Sequence, residues 1–354
     1  MKRKHVLVTP LDWGLGHATR CVPIIRLLLE LECKVFLGGS GPSLQLLCTE
    51  FPALSCINLP AYDPVYPPDV SMAWTMLAQL SKFRKAIQDE HDMVEHFVSV
   101  NQIDYVISDN RYGCWSSSVY CVFITHQTNI KMPSGLRWFG GLINCFNHRQ
   151  IKKFNQCWIP DFSDHTFSGE LSSTLRMKSR FIGPLSRFSR SLAVTKKYDL
   201  LILLSGPEPQ RSIFEELLLA QLAQTSANVL MIRGVSNNFT GEVATQIEII
   251  NFCNTTELQN AIEQSELVIS RPGYSTIMDL ARLGKKAIFI PTPGQTEQEY
   301  LAAQLKVSGI AYCTTQKDFD LHQALHCSEK YSGFKELDFN EKQLSSAIQE
   351  LFNF

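Results

Sequence analysis

Apolar residues in this chain come in short unbroken runs, each followed by a turn signal and then by a longer stretch with helical spacing. The runs at 5–9, 34–37, 55–58, 105–108 and 119–125 predict one set of strands. Those at 199–204, 228–233, 248–252, 267–270 and 287–291 predict a second. Strands that are hydrophobic almost throughout are buried on both faces, as in parallel sheets covered by helices. Helices are predicted at 19–31, at 42–50, and through a long pattern that ends at Val100 after the Pro-rich loop 62–68. The same plan appears twice. Residues 181–197, with Gly183-Pro184-Leu185-Ser186-Arg187-Phe188-Ser189-Arg190, break both periods and read as a linker. The fold class is α/β, with Rossmann-like domains at 1–184 and 198–335 and a last helical segment within 336–354. In 354 residues each half is long enough to bury its own core.

Composition mainly excludes. A net charge of -1 offers no basic footprint for nucleic acid. The 11 cysteines are odd in number and contain no C-x-x-C pair. Cys33, Cys48, Cys121 and Cys253 lie in apolar runs, so the set reads as reduced core residues rather than bridges or metal ligands. No metal or other cofactor is expected. The opening Met1-Lys2-Arg3-Lys4 leads directly into the first strand, and no apolar stretch approaches the length of a membrane span. A cytoplasmic protein is the expectation.

The chemistry concentrates in two strand–turn–helix units. In Ser270-Arg271-Pro272-Gly273-Tyr274-Ser275-Thr276, a strand ends and a helix begins after a small-residue turn. The first N–H groups of a helix lack intrahelical partners and sit at its positive dipole end, which suits an anion. Asp279, farther along the same helix, is placed to accept from a ribose diol, so a nucleotide is the implied ligand. The second unit is Asp12-Trp13-Gly14-Leu15-Gly16-His17-Ala18-Thr19-Arg20, after the first strand. Its glycines permit a tight turn that delivers His17 at a helix start. There the dipole favours the neutral imidazole, as a general base requires.

The segment from Arg271 to Glu299 resembles the donor-binding signature of GT-B glycosyltransferases, and its pattern is similar to the MurG-like family, which adds N-acetylglucosamine to a lipid-linked acceptor. The resemblance implies two Rossmann-like domains facing a central cleft, with the final helix packing back on the first domain. It implies that Gly273, Tyr274, Ser275 and Thr276 hold the diphosphate, Asp279 the ribose, and Gln298 with Glu299 the sugar hydroxyls. By the same likeness Ser205 and Gly206 form a second phosphate loop, Arg187 reaches the diphosphate, and Phe252 with Cys253 present backbone to the uracil edge. Gly14 and Gly16 shape the acceptor side, and His17 is the base of an inverting transfer. Asp109 and Gln127 are implied acceptor contacts.

Three functions follow as expectations. The first is transfer of a sugar, such as an N-acetylhexosamine, from a UDP-sugar to an acceptor hydroxyl, including that of a lipid-linked or cell-envelope glycan. The second is UDP-sugar hydrolysis, because Gly14-Leu15-Gly16-His17-Ala18-Thr19-Arg20-Cys21 also resembles the loop of pseudaminic-acid-pathway hydrolases. The third is sugar-nucleotide binding without catalysis. Leu136, Trp138, Phe139, Leu142, Ile143 and Phe146, followed by Arg149, Lys152 and Lys153, read either as an amphipathic segment on the inner membrane face or as a buried helix.

Overall fold

The computed structural model describes residues 3–62, 79–173, 178–191, 194–235, 239–334, 339 and 341–353. Most of the Pro-rich loop falls in 63–78, outside the described residues. The chain divides into two units, Met1–Arg187 with Phe339–Phe354, and Phe188–Asp338.

Unit 1 begins β1 (His5–Pro10), α1 (Leu15–Glu30), β2 (Lys34–Gly39), α2 (Gly41–Glu50), β3 (Ser55–Asn58) and α3 (Leu80–Asn101). It continues with β4 (Tyr105–Asp109), β5 (Tyr120–Ile124), a 3-10 turn at Ser134–Phe139, α4 (Gly140–Ile151), β6 (Gln156–Ile159) and β7 (Ser179–Phe181). All seven strands are parallel, in the order β3-β2-β1-β4-β5-β6-β7. One face packs Leu7, Phe36, Val106 and Phe123 against Val94 and Val98 of α3. Burial of Ile24, Ile25 and Leu28 anchors α1.

Unit 2 repeats the plan with β8 (Tyr198–Leu203), α5 (Gln210–Leu222), β9 (Val229–Ile232), β10 (Ile247–Ile250), α6 (Thr255–Glu263), β11 (Ser265–Ser270) and α7 (Tyr274–Arg282). Then come β12 (Lys286–Phe289), α8 (Thr296–Val307), β13 (Tyr312–Cys313) and α9 (Leu321–Ser328). Its sheet is also parallel, ordered β10-β9-β8-β11-β12-β13. Leu200, Ile202, Met231, Ile269 and Ile288 meet Phe214 and Leu218 of α5 in the core. The last helix, α10 (Glu341–Leu351), groups with unit 1. Arg180 pairs with Glu350 and reaches Ser346 Oγ at 2.8 Å, and the Phe352 ring lies 5.3 Å from Tyr105.

Each sheet reverses its strand order once, between β1 and β4 and between β8 and β11. Loops leaving adjacent strands at such a point diverge to opposite faces and open a crevice at the carboxyl edge. Both chemical motifs sit there.

Two expectations are corrected. α1 starts at Leu15, earlier than the apolar pattern indicated, because Gly14 at φ +86° turns the chain in a conformation that side-chain-bearing residues rarely adopt. His17 is therefore inside the first helical turn. The cysteines are also not uniformly reduced core residues. Cys48 on α2 and Cys56 on β3 are joined as a disulfide across the intervening turn, Cys145 is exposed, and Cys253 is only half-buried.

Candidate active site

In unit 1, Leu11 N–H donates to Asp109 O at 2.8 Å, so the first loop is tied to the end of β4. His17 points from α1 toward the same place, and its Nδ1 lies 2.8 Å from Asp109 Oδ1. Asp109 is fully buried, and Arg20 grips both its oxygens through Nε and Nη2. Burial alone would raise the Asp109 carboxyl, yet the Arg20 charge, His17 and their hydrogen bonds hold it at about 2. The carboxylate is thus a permanent anion at neutral pH. His17 is lowered below its ordinary value, first by desolvation and then by Arg20, against an opposing pull from Asp109. A neutral, partly exposed imidazole whose Nδ1 faces a carboxylate presents Nε2 as a base.

This geometry corrects the reading of Asp109 as an acceptor contact. Its oxygens are occupied and inaccessible, and its partner is His17. Arg20, which the sequence motif contains but to which no role was given, is the residue that grips Asp109, and its spacing of three from His17 on a helix was a usable signal. Gly14 is exposed, and Gly16, half-buried, accepts from Thr19 Oγ1 at 3.0 Å. Trp13 is packed, with its ring 6.2 Å from Tyr62 and 5.7 Å from Phe83. Gln127 is half-buried, and its carbonyl accepts from Asn147 at 3.0 Å.

In unit 2, Ser205 and Gly206 form an exposed loop between β8 and α5. Beside it, β11 passes through Gly273 into α7. Gly273 offers no side chain to cap the helix, and the first turn presents backbone N–H groups together with the hydroxyls of Ser275 and Thr276. Tyr274 is buried, as is Asp279 on the same helix. Gln298 and Glu299 occupy the first turn of α8 and fold back on the preceding loop. Gln298 Oε1 accepts from Thr292 N at 2.8 Å, and Glu299 Oε1 from Gly294 N at 3.1 Å.

Arg271 supports this edge from below. Its guanidinium donates to the carbonyls of Ile290 (3.0 Å), Pro291 (3.1 Å) and Gln210 (3.1 Å) and to Gln316 Oε1 (2.5 Å). It also lies 4.2 Å above the Phe214 ring. These hydrogen bonds reach no carboxylate, and burial draws the group down to about 10. One arginine thereby holds the start of α5, the chain before α8 and the chain after β13 around the turn that it precedes.

The remaining sites are more dispersed. Arg187 ends unit 1, where its carbonyl accepts from Arg26 at 3.0 Å. Phe252 and Cys253 do not end a strand. They follow β10 in the loop before the Asn254 cap of α6, with the Phe252 side chain exposed. Segment 135–153 is neither one amphipathic face nor one buried helix. Phe146 packs inward on Tyr112, with ring centroids 6.3 Å apart, and Leu136 and Ile151 are buried. Trp138 and Leu142 stay 73% and 68% exposed. Among the described residues, no helix is long and apolar enough to cross a membrane.

Comparison with known proteins bears on the fold and the class. Residues 209–351 match the glycosyltransferase family 28 C-terminal domain. An uncharacterized glycosyltransferase of Methanosarcina acetivorans is 26% identical over 324 residues, covering 84% of this chain and 82% of that protein. A UDP-N-acetylglucosamine--N-acetylmuramyl-(pentapeptide) pyrophosphoryl-undecaprenol N-acetylglucosamine transferase of Methylobacterium radiotolerans is 40% identical over 65 residues, 18% of each chain. The solved glycotransferase of kitacinnamycin superposes with a TM-score of 0.65 at 15% identity, covering 100% of this chain and 96% of that one.

Two parallel-sheet α/β units and these matches define a glycosyltransferase of the GT-B fold. Within that class the chain is MurG-like, and the stretch similar to the family 28 C-terminal domain contains the Gly273 turn.

Proposed function

We propose that the protein transfers a sugar from a UDP-sugar to an acceptor hydroxyl with inversion at the anomeric carbon, without a metal. The observation that carries this reading is His17, held neutral against the buried Asp109 anion. The acceptor oxygen forms its bond to the anomeric carbon as the bond to UDP breaks, and UDP leaves with that electron pair. The acceptor proton passes to His17 Nε2, while Nδ1–H remains on Asp109. An imidazolium that forms beside a carboxylate is stabilised as the charge develops. Transfer is favoured over hydrolysis because the full-length relative is named a glycosyltransferase. An N-acetylhexosamine donor and a lipid-linked or cell-envelope acceptor accord with the transferase matched over 65 residues.

Donor binding is assigned to unit 2, with the diphosphate on the Gly273–Thr276 turn and Ser205–Gly206, and the ribose on Asp279. Arg187 would reach the diphosphate, Phe252 and Cys253 the base, and Gln298 and Glu299 the sugar. The last pair must then exchange its loop contacts for substrate hydroxyls. Asp279→Ala is expected to weaken UDP binding by about 1–3 kcal/mol, the range for a lost hydrogen bond to a charged group. Calorimetry that finds unchanged UDP affinity in the folded variant removes the ribose assignment.

The exposed Trp138 and Leu142, with Arg149, Lys152 and Lys153 nearby in sequence, support peripheral contact with an anionic membrane face on the cytoplasmic side. The protein should sediment with anionic vesicles and be released by salt, since each basic side chain at such a surface contributes about 1 kcal/mol. Trp138→Ser with Leu142→Ser should abolish sedimentation and spare the melting temperature, because both side chains are mostly exposed. Wild-type protein that remains in the supernatant refutes membrane contact.

A further inference from the structure

Asp109 does not act on His17 alone. Four hydrogen-bonding atoms converge on its two oxygens: Arg20 Nε, Arg20 Nη2, His17 Nδ1 and, at 3.8 Å, Cys21 Sγ. Arg20 is itself buried, on the helical turn after His17, and its third nitrogen, Nη1, lies 3.1 Å from His126 Nδ1. A guanidinium is a planar fork of fixed geometry, so a bidentate grip fixes the plane of the carboxylate as well as its position. That plane decides where Asp109 can accept the hydrogen bond of His17 Nδ1–H.

The same arginine leaves only one sensible state for the ring. His17 Nδ1 is 2.8 Å from Asp109 Oδ1 and 2.9 Å from Arg20 Nη2, and a single nitrogen cannot donate to the first while accepting from the second. Arg20 Nη2 is already engaged by Asp109 Oδ1, whereas the carboxylate gains an additional donor if Nδ1 is protonated. The proton belongs on Nδ1, and the lone pair is left on Nε2.

We propose that Arg20 is a positioning residue that completes a His17–Asp109–Arg20 triad, orienting the carboxylate and keeping the imidazole uncharged, with its one proton on Nδ1, so that Nε2 is available as a base. The proposal rests on the reading of His17 as the base. Its electrostatic logic is a balance. An unpaired Asp109 anion would orient His17 but would also favour the imidazolium, which cannot accept a proton. The Arg20 cation offsets that charge and leaves the orientation intact. The charged and titratable groups around His17 are Arg20 and Cys21 on its own helix, Asp109 at the end of β4 and His126 after β5. Desolvation lowers His17 most, Arg20 and His126 lower it further, and Asp109 opposes them.

The test uses the full chain with isotope-labelled histidine, His17 being assigned by its loss in His17→Gln, and follows the ring by NMR across pH with no sugar nucleotide present. Wild-type His17 should carry its proton on Nδ1 and titrate below the ordinary histidine value near 6.5. In Arg20→Gln the midpoint should rise by about one pH unit or more, the scale of losing a charge within hydrogen-bonding distance. Arg20→Lys should restore much of that shift without fixing the tautomer as well. Asp109→Asn should move the midpoint the opposite way, which keeps the test decisive if Arg20→Gln fails to fold. An unchanged midpoint in a folded Arg20→Gln, or a wild-type proton on Nε2, overturns the proposal. Failure of the transfer reading would appear separately, as no UDP release from UDP-N-acetylglucosamine in wild type, and leaves the titration result standing.

Discussion

Replacing His17 with alanine should lower turnover by roughly 10²–10⁴-fold, the contribution typical of a positioned general base. UDP affinity should remain near normal. The two effects separate because His17 belongs to unit 1, whereas the Gly273 turn and Asp279 belong to unit 2. Removal of an exposed-edge imidazole leaves Asp109 gripped by Arg20, so the fold should also persist. The activity that remains should lose its acid limb, since the group whose protonation abolishes the base is gone. In wild type, activity falls as pH drops through the lowered His17 value, because protonation consumes the Nε2 lone pair. A His17→Ala protein that keeps most of its turnover, measured as UDP release with a competent acceptor, makes His17 structural and ends the mechanism proposed here.

The sequence carried the plan of the fold well because parallel strands buried on both faces are uninterrupted apolar runs. β1, β4, β8 and β11 were all visible in this way, each within a residue or two of its ends. β6, β7 and β13 were not. The first has only four residues and opens on the polar Gln156, and the other two span three residues and two residues, which is shorter than any period can reveal. At the candidate site, His17 and the Gly273 turn were legible because glycine and helix-start chemistry are local. The pairing of His17 with Asp109 was not, because it joins residues 92 apart through the β1–β4 register. Asp109 therefore passed for an acceptor contact, and the partners that Arg20 and Arg271 hold could not be read from their own segments. The Cys48–Cys56 bridge was hidden for the same reason, since its geometry depends on α2 packing beside β3.

Arg111 is a charge close to the candidate site in sequence whose contacts are structural. It follows Asp109 by two residues, yet it is fully buried and paired with Glu90 of α3, which is fully buried as well. Glu90 Oε2 also accepts from Tyr62 OH at 2.9 Å and from Gly113 N at 2.8 Å. Arg111 in turn donates to the Pro60 carbonyl at 2.5 Å. The cluster thus fastens α3, the β3 exit and the turn after β4. Gly113 sits so close that an added Cβ would lie 2.3 Å from Ile87 O. Substituting Glu90 with alanine strands a buried guanidinium, a phenol and an amide together, and breaking a buried pair in this way costs about 3–5 kcal/mol. For a unit of this size that corresponds to a melting shift of roughly 6–20 °C. Glu90→Gln, which keeps acceptor and donor groups but removes the anion, should fall between alanine and wild type. The loss should be confined to the unit 1 transition, because unit 2 has its own sheet and core, so UDP binding at low temperature should survive. Calorimetric scans that show Glu90→Ala melting with wild type would mean that the pair contributes no net stability and that Arg111 is free to serve another role.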